Sequence, residues 1–335
     1  MSSTHLDSSA LEKLISAAVA APSMHNTQPW RFRFDTDSAT VEIHAGAEWQ
    51  LPQEDPQGRA LHISAGAALF NLRVAVTHLG WKPITRLLPD PHHPALLATA
   101  RICPRTTPHT RHGADLYAAI WHRHSSRFPF TNQPVPEHLL HELAEAAHSE
   151  GITLAVAGPD ETARLLQITA EAERRNHIDA ARGAESRRWS NRGRGEDTGI
   201  PFTALGPQDA FEQLPMRDFS ARRSQQSAPA RPFERTPLLV SLSTGHDRRT
   251  DWLRAGQALE RVLLVATAHG LRTSLLHQAL EWSDLRDALR SAASQFDHVQ
   301  MLLRLGYGPE GSSTPRRSPR LFLDLDGSTS QADQR

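Results

Sequence analysis

A repeat constrains the fold of this chain more than any other feature. The stretches SAGAALFNLRVAVTHLGW, from Ser64, and RAGQALERVLLVATAHGLRT, from Arg254, share A-G-x-A-L, an apolar run and a closing His and Gly, with one residue of drift. Each reads as a long helix that is apolar almost all round, which marks a buried central element. Each is followed by a strand. Self-similarity of this kind signals an internal duplication, here of one α/β unit, so the chain is expected to form a pseudo-dimer within itself.

The rest of the chain fits two such units. In the first half, Asp7 or Ser8 can cap a helix that runs to Pro22, and WRFRFD and TVEIHAG alternate as paired strands do. QLPQEDPQG is a turn-rich loop. The long helix closes at Gly80, and strands PITRLLP and LLATARICP follow. Residues 104–113 form a polar connector, and from about 114 the pattern restarts. A helix ADLYAAIWHRH, a helix from Glu137 to His148, a strand ITLAVAG and a helix from Asp160 toward Ala181 come next. Residues 182–235 are rich in Arg, Gly, Pro, Ser and Gln and lack periodicity, so they read as a lid or irregular insert. Strand TPLLVSLST, the second long helix and strand VQMLLRLGYG follow, and 312–335 reads as a tail. The expected division is 1–113 and 114–335.

Composition narrows the function. The 335 residues carry 37 basic and 37 acidic side chains, so a general polyanion binder is disfavoured and no nucleic-acid partner is expected. One cysteine, Cys103, allows no intrachain disulfide. LISAAVAA is broken by Pro22 before it could serve as a signal segment, and no run approaches ~18 apolar residues. A cytoplasmic protein without a membrane partner is expected.

Some motifs dissolve on inspection. GYGPEG matches G-x-G-x-x-G, but SSTPRRSP after it does not open the helix that a dinucleotide site needs. His141, Glu145 and His148 share a helix face, yet the H-E-x-x-H order is absent and a solvated face explains them, so no metal is expected. Others persist. Arg123, Ser125 and Arg127 alternate, and in an extended segment they lie on one face. Two guanidiniums and a hydroxyl so placed can clamp a phosphate; a solvated basic strand is the alternative. Arg316 and Arg317 add basic groups near the C-terminus, or belong to a basic tail. AAPSMHNTQPWRF crowds prolines, amides and an indole at one helix-to-strand corner. It reads either as part of a site or as a capped turn, with Trp30 in the core.

Together these residues resemble the nitroreductase family of FMN-dependent oxidoreductases. The resemblance rests on A-P-S-x-x-N-x-Q-P-W at Ala21 to Trp30 and on R-x-S-x-R at Arg123, Ser125 and Arg127. It also rests on G-L-x-S at Gly270 to Ser274, and on the strand ending in Gly306 and Tyr307 followed by Arg316 and Arg317. The form of the first motif, the length and the duplicated layout look most like the Acg-type branch, in which one chain imitates the usual dimer. The implied fold is α+β: a nitroreductase-like unit duplicated within one chain, three-layer α/β/α, with mostly antiparallel sheets and central buried helices.

The resemblance also implies a site. The family assembles each flavin site from two subunits, one giving R-x-S-x-R and the basic residues, the other P-S-x-x-N. Here each half retains one contribution, which implies one FMN per chain between the halves. Arg123, Arg127 and Arg317 would neutralise the phosphate, with Arg316 beside them, and Ser125 would contact phosphate or ribityl. Pro22, Ser23, Met24 and Asn26 would line the flavin from the other half. The loop Leu276, His277 and Gln278 would present a backbone N–H to the flavin ring, although many relatives carry an acidic residue and a Gly at the last two positions. Arg231 is a candidate for the pyrimidine edge. The chemistry is flavin-borne, with no catalytic side chain. The implied activity carries electrons from NAD(P)H through FMN to a small acceptor such as a nitroaromatic or quinone. The alternative is a non-catalytic protein that sequesters FMN beneath a lid. Its partners would be small molecules, and further self-association stays open.

Overall fold

The computed structural model describes residues 6–105, 115–190, 197–219, 230–290 and 297–325. Parts of the expected connector, insert and tail (106–114, 191–196, 220–229 and 326–335) lie outside the described residues.

The first half runs α1 (Ser8–Val19), β1 (Trp30–Asp35), β2 (Thr40–Ala45), α2 (Arg59–His78), β3 (Trp81–Leu87) and β4 (Leu96–Pro104). Then come α3 (Leu116–His122), α4 (Glu137–His148), β5 (Thr153–Val156), α5 (Pro159–Ile178), α6 (Ala180–Trp189), β6 (Gln208–Asp209), β7 (Ala230–Arg231) and β8 (Leu238–Thr244). The chain closes with α7 (Arg249–Ala268), β9 (Arg272–Leu275), α8 (Ser283–Ala288), β10 (His298–Gly306) and β11 (Leu323–Leu325).

Local chemistry explains the element borders. Asp7 caps α1 by accepting from the Ala10 N–H at 2.7 Å. The Asp55 carboxylate accepts from the Ala60 and Leu61 N–H groups and so caps α2. Alternation buries Trp30, Phe32 and Phe34 on one face of β1. α2 is the one helix among the described residues long and apolar enough to cross a membrane, and most of it is buried in the core.

Two sheets result. The first has the order β11-β1-β2-β4-β3 and the second β5-β8-β10-β9, antiparallel throughout except for β1 against β11. Four strands of the first therefore match the second in chain order and sheet order: β1-β2-β4-β3 against β5-β8-β10-β9. A long helix follows the second strand of each set and packs on its own sheet and on the other long helix.

That helix crossing explains the repeated glycine. A Cβ on Gly66 would lie 2.1 Å from the Leu253 carbonyl oxygen, and one on Gly256 would lie 2.0 Å from that of Ile63. The contact is reciprocal. Leu253 of α7 joins the first half's core, and Ile63 of α2 joins the second's. Only glycine lets the two backbones approach so closely.

Three expectations are corrected. Residues 182–189 were expected to be irregular but continue as α6, capped by Asp179, whose carboxylate accepts from the Ala181 and Arg182 N–H groups. Residues 312–325 are not a loose tail. Phe322 is buried in the first core, and β11 pairs with β1. Residues 323–325 therefore complete the sheet of the first half, although they fall in the second segment of the expected 1–113 and 114–335 division.

Candidate functional site

The corner after α1 is built from strained backbone. His25, Asn26 and Gln28 have φ of 50°, 56° and 54°. Left-handed residues other than glycine cost about 1–3 kcal/mol each and persist only where their surroundings hold them. Here they do. The Ser23 hydroxyl accepts from the Gln28 N–H at 2.9 Å, and the Asn26 N–H donates to the Ser23 carbonyl at 3.0 Å. The Asn26 amide donates to the carbonyls of Gly199 and Pro315 and accepts from Arg316. The Gln28 amide donates to Asp197 and accepts from the Arg317 N–H.

This corner forms one wall of a cavity between the halves, lined by Pro22, Ser23, Met24 and Asn26. Arg123, Ser125 and Arg127 line a second wall, and Leu276, His277 and Gln278 a third, with Arg316 beside them. The expected alternation is incomplete, because His124 lines the cavity along with Arg123, Ser125 and Arg127. Ser126 turns the other way and is fully buried, and its N–H donates to the Thr273 carbonyl at 2.8 Å, which ties the segment to β9.

Three of these arginines line the cavity in two places: Arg123 and Arg316 lie together, and Arg127 lies beside Arg217. Arg127 donates to the Ala204 carbonyl at 2.8 Å and stacks over Phe219; burial and the charge of Arg217 lower it to about 10. Arg316 donates to the carbonyls of Val19, Ala20 and Ala21, the open C-terminal end of α1. Burial and repulsion from Arg123 lower it to about 9. Arg123 lies 3.5 Å from Glu260, the one carboxylate paired with any of these three guanidiniums among the described residues.

Arg317 is elsewhere. Its guanidinium stacks over Trp49 at 3.7 Å and donates to the Thr27 and Gln28 carbonyls, so it braces the corner from behind. Arg231 is exposed in β7, paired with β6, and does not line the cavity. The Leu276 N–H donates to the Leu302 carbonyl at 2.9 Å and is unavailable to a ligand. His277 and Gln278 open a short 3-10 turn. Their side chains engage Glu281 and the Pro215 carbonyl.

Next to Arg127 the cavity holds buried charges with no local motif. His25 bonds Glu54, and Glu54 accepts from Arg217 at 2.7 Å. Arg217 also bonds Glu281, which accepts from His277 at 2.7 Å. Burial pushes Glu54 up to about 7. Burial also acts to raise Glu281, but the Arg217 guanidinium and the His277 bond hold it down. Burial and Arg217 keep His25 well below its ordinary value, hence neutral. Arg217 arrives on the described part of the insert, 197–219. Ile200, Met216 and Phe219 from the same segment also line the cavity.

The chain belongs to the nitroreductase family, whose profile matches residues 120–307, more than half of its length. A Mycobacterium tuberculosis protein provisionally named an NAD(P)H nitroreductase is 34% identical over 321 residues, covering 94% of this chain and 91% of its own. Another from that organism, provisionally named the NAD(P)H nitroreductase Acg, is 28% identical over 327 residues and 97% of both chains. A solved Anabaena variabilis structure, provisionally called a nitroreductase, superposes with a TM-score of 0.44 at 12% identity over 90% of this chain and 88% of its own.

Proposed function

We propose that the cavity binds one FMN per chain and that the protein is an oxidoreductase passing electrons from NAD(P)H to a small acceptor such as a nitroaromatic or quinone. One observation carries this reading: Arg123, Arg127 and Arg316 all line one partly enclosed cavity, and Glu260 is the one carboxylate paired with any of them among the described residues. Such an excess of buried positive charge fits a phosphate dianion. Arg123 and Arg127, with Ser125 between them, would hold it. Arg316 would supply charge while fastening α1. Pro22, Ser23, Met24 and Asn26 would line the ring system from the first half, and the start of the 3-10 turn at His277 and Gln278 would meet it from the second. FMN, when bound, supplies the hydride-accepting chemistry, and the protein supplies binding, orientation and exclusion of water. The two halves are read as two copies of one unit, and the protein as cytoplasmic.

A second reading rests on the insert. Arg217 is held between Glu54 of the first half and Glu281 of the second, and Phe219 lies beside it. A closed lid of this kind suits a protein that holds FMN without turning over. Anaerobic titration of the reconstituted protein with NADH and NADPH separates the two. Rapid flavin bleaching supports the oxidoreductase. Bleaching by dithionite alone supports sequestration. Failure to bind FMN at all sinks both.

A further inference from the structure

Glu260, on α7 beside Arg123, is that arginine's carboxylate partner. It is fully buried, and neither carboxylate oxygen meets hydrogen-bond geometry with any group. The Arg123 Nε, 3.5 Å away, is likewise without an acceptor. Asn71 of α2, fully buried, sets its amide beside the carboxylate and acts to hold Glu260 down, short of full hydrogen-bond geometry. At 3.5 Å the Arg123–Glu260 pair is a poor one, and it leaves the Arg123 Nε–H open to a better acceptor.

Few charges act on Glu260. Arg123 follows α3 and Arg316 comes from the C-terminal segment. Arg73 and Arg261, on the same two helices, are taken by Glu150. His124, on the cavity wall, faces the same cations as Glu260; burial, then Arg123 and Arg316, keep it below its ordinary value.

We infer that Glu260 is a stand-in counter-charge, and that a phosphate-bearing ligand entering at Arg123 replaces it, one solvent proton moving onto a Glu260 carboxylate oxygen for each phosphate bound. The electrostatics follow from proximity. With the site empty, the carboxylate offsets Arg123. A dianion brought to the same guanidinium repels the carboxylate and favours its neutral form. Burial, opposed by Arg123, the Asn71 amide and Arg316, already pushes Glu260 up to about 7, so added negative charge at Arg123 favours its protonation near neutral pH. At pH 6 the group is largely protonated before binding and uptake is small. At pH 8 it is ionised when the site is empty, and uptake approaches about one proton. The phosphate's own second ionisation, near pH 6, is complete at pH 8 and does not obscure the count.

The inference rests on the FMN reading, and the test distinguishes the two. The full-length apoprotein is titrated calorimetrically with FMN, and separately with riboflavin, at pH 6 and 8 in buffers of different ionisation heats. Wild type, Glu260→Gln and His124→Asn are compared. The expected result is about one proton taken up with FMN at pH 8 by wild type and His124→Asn, none by Glu260→Gln, and none with riboflavin. Glu260→Gln should bind FMN about tenfold tighter than wild type at pH 8 and equally at pH 6. Undiminished uptake in Glu260→Gln, its loss in His124→Asn instead, or uptake with riboflavin overturns the inference while leaving FMN binding intact. Absence of FMN binding by wild type overturns the parent reading as well. If Glu260→Gln fails to fold, the wild-type contrast between FMN and riboflavin decides alone.

Discussion

The two halves share strand order and a central helix, yet differ at two connections. After α1 the chain takes ten residues to reach β1, with three left-handed residues among them. After α4 it stops at once: Gly151, at φ 76°, closes the helix, and the Ile152 N–H returns to the Ala147 carbonyl. Where the first corner opens onto arginines with few carboxylate partners, the second sends Glu150 between Arg73 and Arg261 and neutralises them. The second difference lies between the first two strands of each set. β1 and β2 are joined by a short turn pinned by Asp35; between β5 and β8 the chain inserts α5, α6 and the segment carrying Arg217. The halves thus illustrate that a fold fixes where a site can stand, while connections decide whether one is there.

The largest effect is expected where the halves are most alike. Gly66→Ala and Gly256→Ala each drive a methyl into backbone, and each should cost about 3 kcal/mol or more in urea unfolding. A near-neutral result at one glycine would end the equivalence. Arg217→Ala strands Glu54 and Glu281 in the interior and should cost about 3 kcal/mol. It should also speed flavin bleaching by NAD(P)H; unchanged bleaching would mean that 197–219 is not a gate. Next, Arg127→Ala removes a charge-assisted contact and should weaken FMN binding about 10–100-fold without altering the circular dichroism. Arg261→Ala, at the second corner, should leave that affinity unchanged. The smallest effect belongs to Glu150→Ala. Its partners Arg73 and Arg261 are 28% and 32% exposed, so screening leaves about 1 kcal/mol. The flavin-to-protein ratio should stay near one; a ratio approaching two would show that the second corner is a plugged site.

What could be read from the sequence was what local chemistry encodes. Arg123, Ser125 and Arg127 share a face because extended chains alternate, and the repeated glycines stand out because the motif recurs. The same rule separates Arg316 from Arg317, since neighbours in an extended segment face opposite ways, but not which of the two faces inward. Glu54, Arg217 and Glu281 escaped because they meet only in three dimensions, 163 and 64 residues apart, with no spacing rule to announce them. His25 stood in plain view at an unspecified motif position; its left-handed backbone and buried ring come from packing. α6 was missed because its Arg-rich sequence has no apolar stripe, although Arg182 and Trp189 are both buried. β11 was missed because a three-residue parallel edge strand after a Pro- and Arg-rich stretch carries almost no periodicity.

The bond from Arg316 to the end of α1 spans 297 residues. During synthesis the first half emerges with the carbonyls of Val19, Ala20 and Ala21 open and its sheet lacking β11. The corner at 22–28 therefore cannot take its final shape until synthesis has passed Arg316. A fragment cut before Arg316 would carry the motif AAPSMHN without the clasp that gives it a shape.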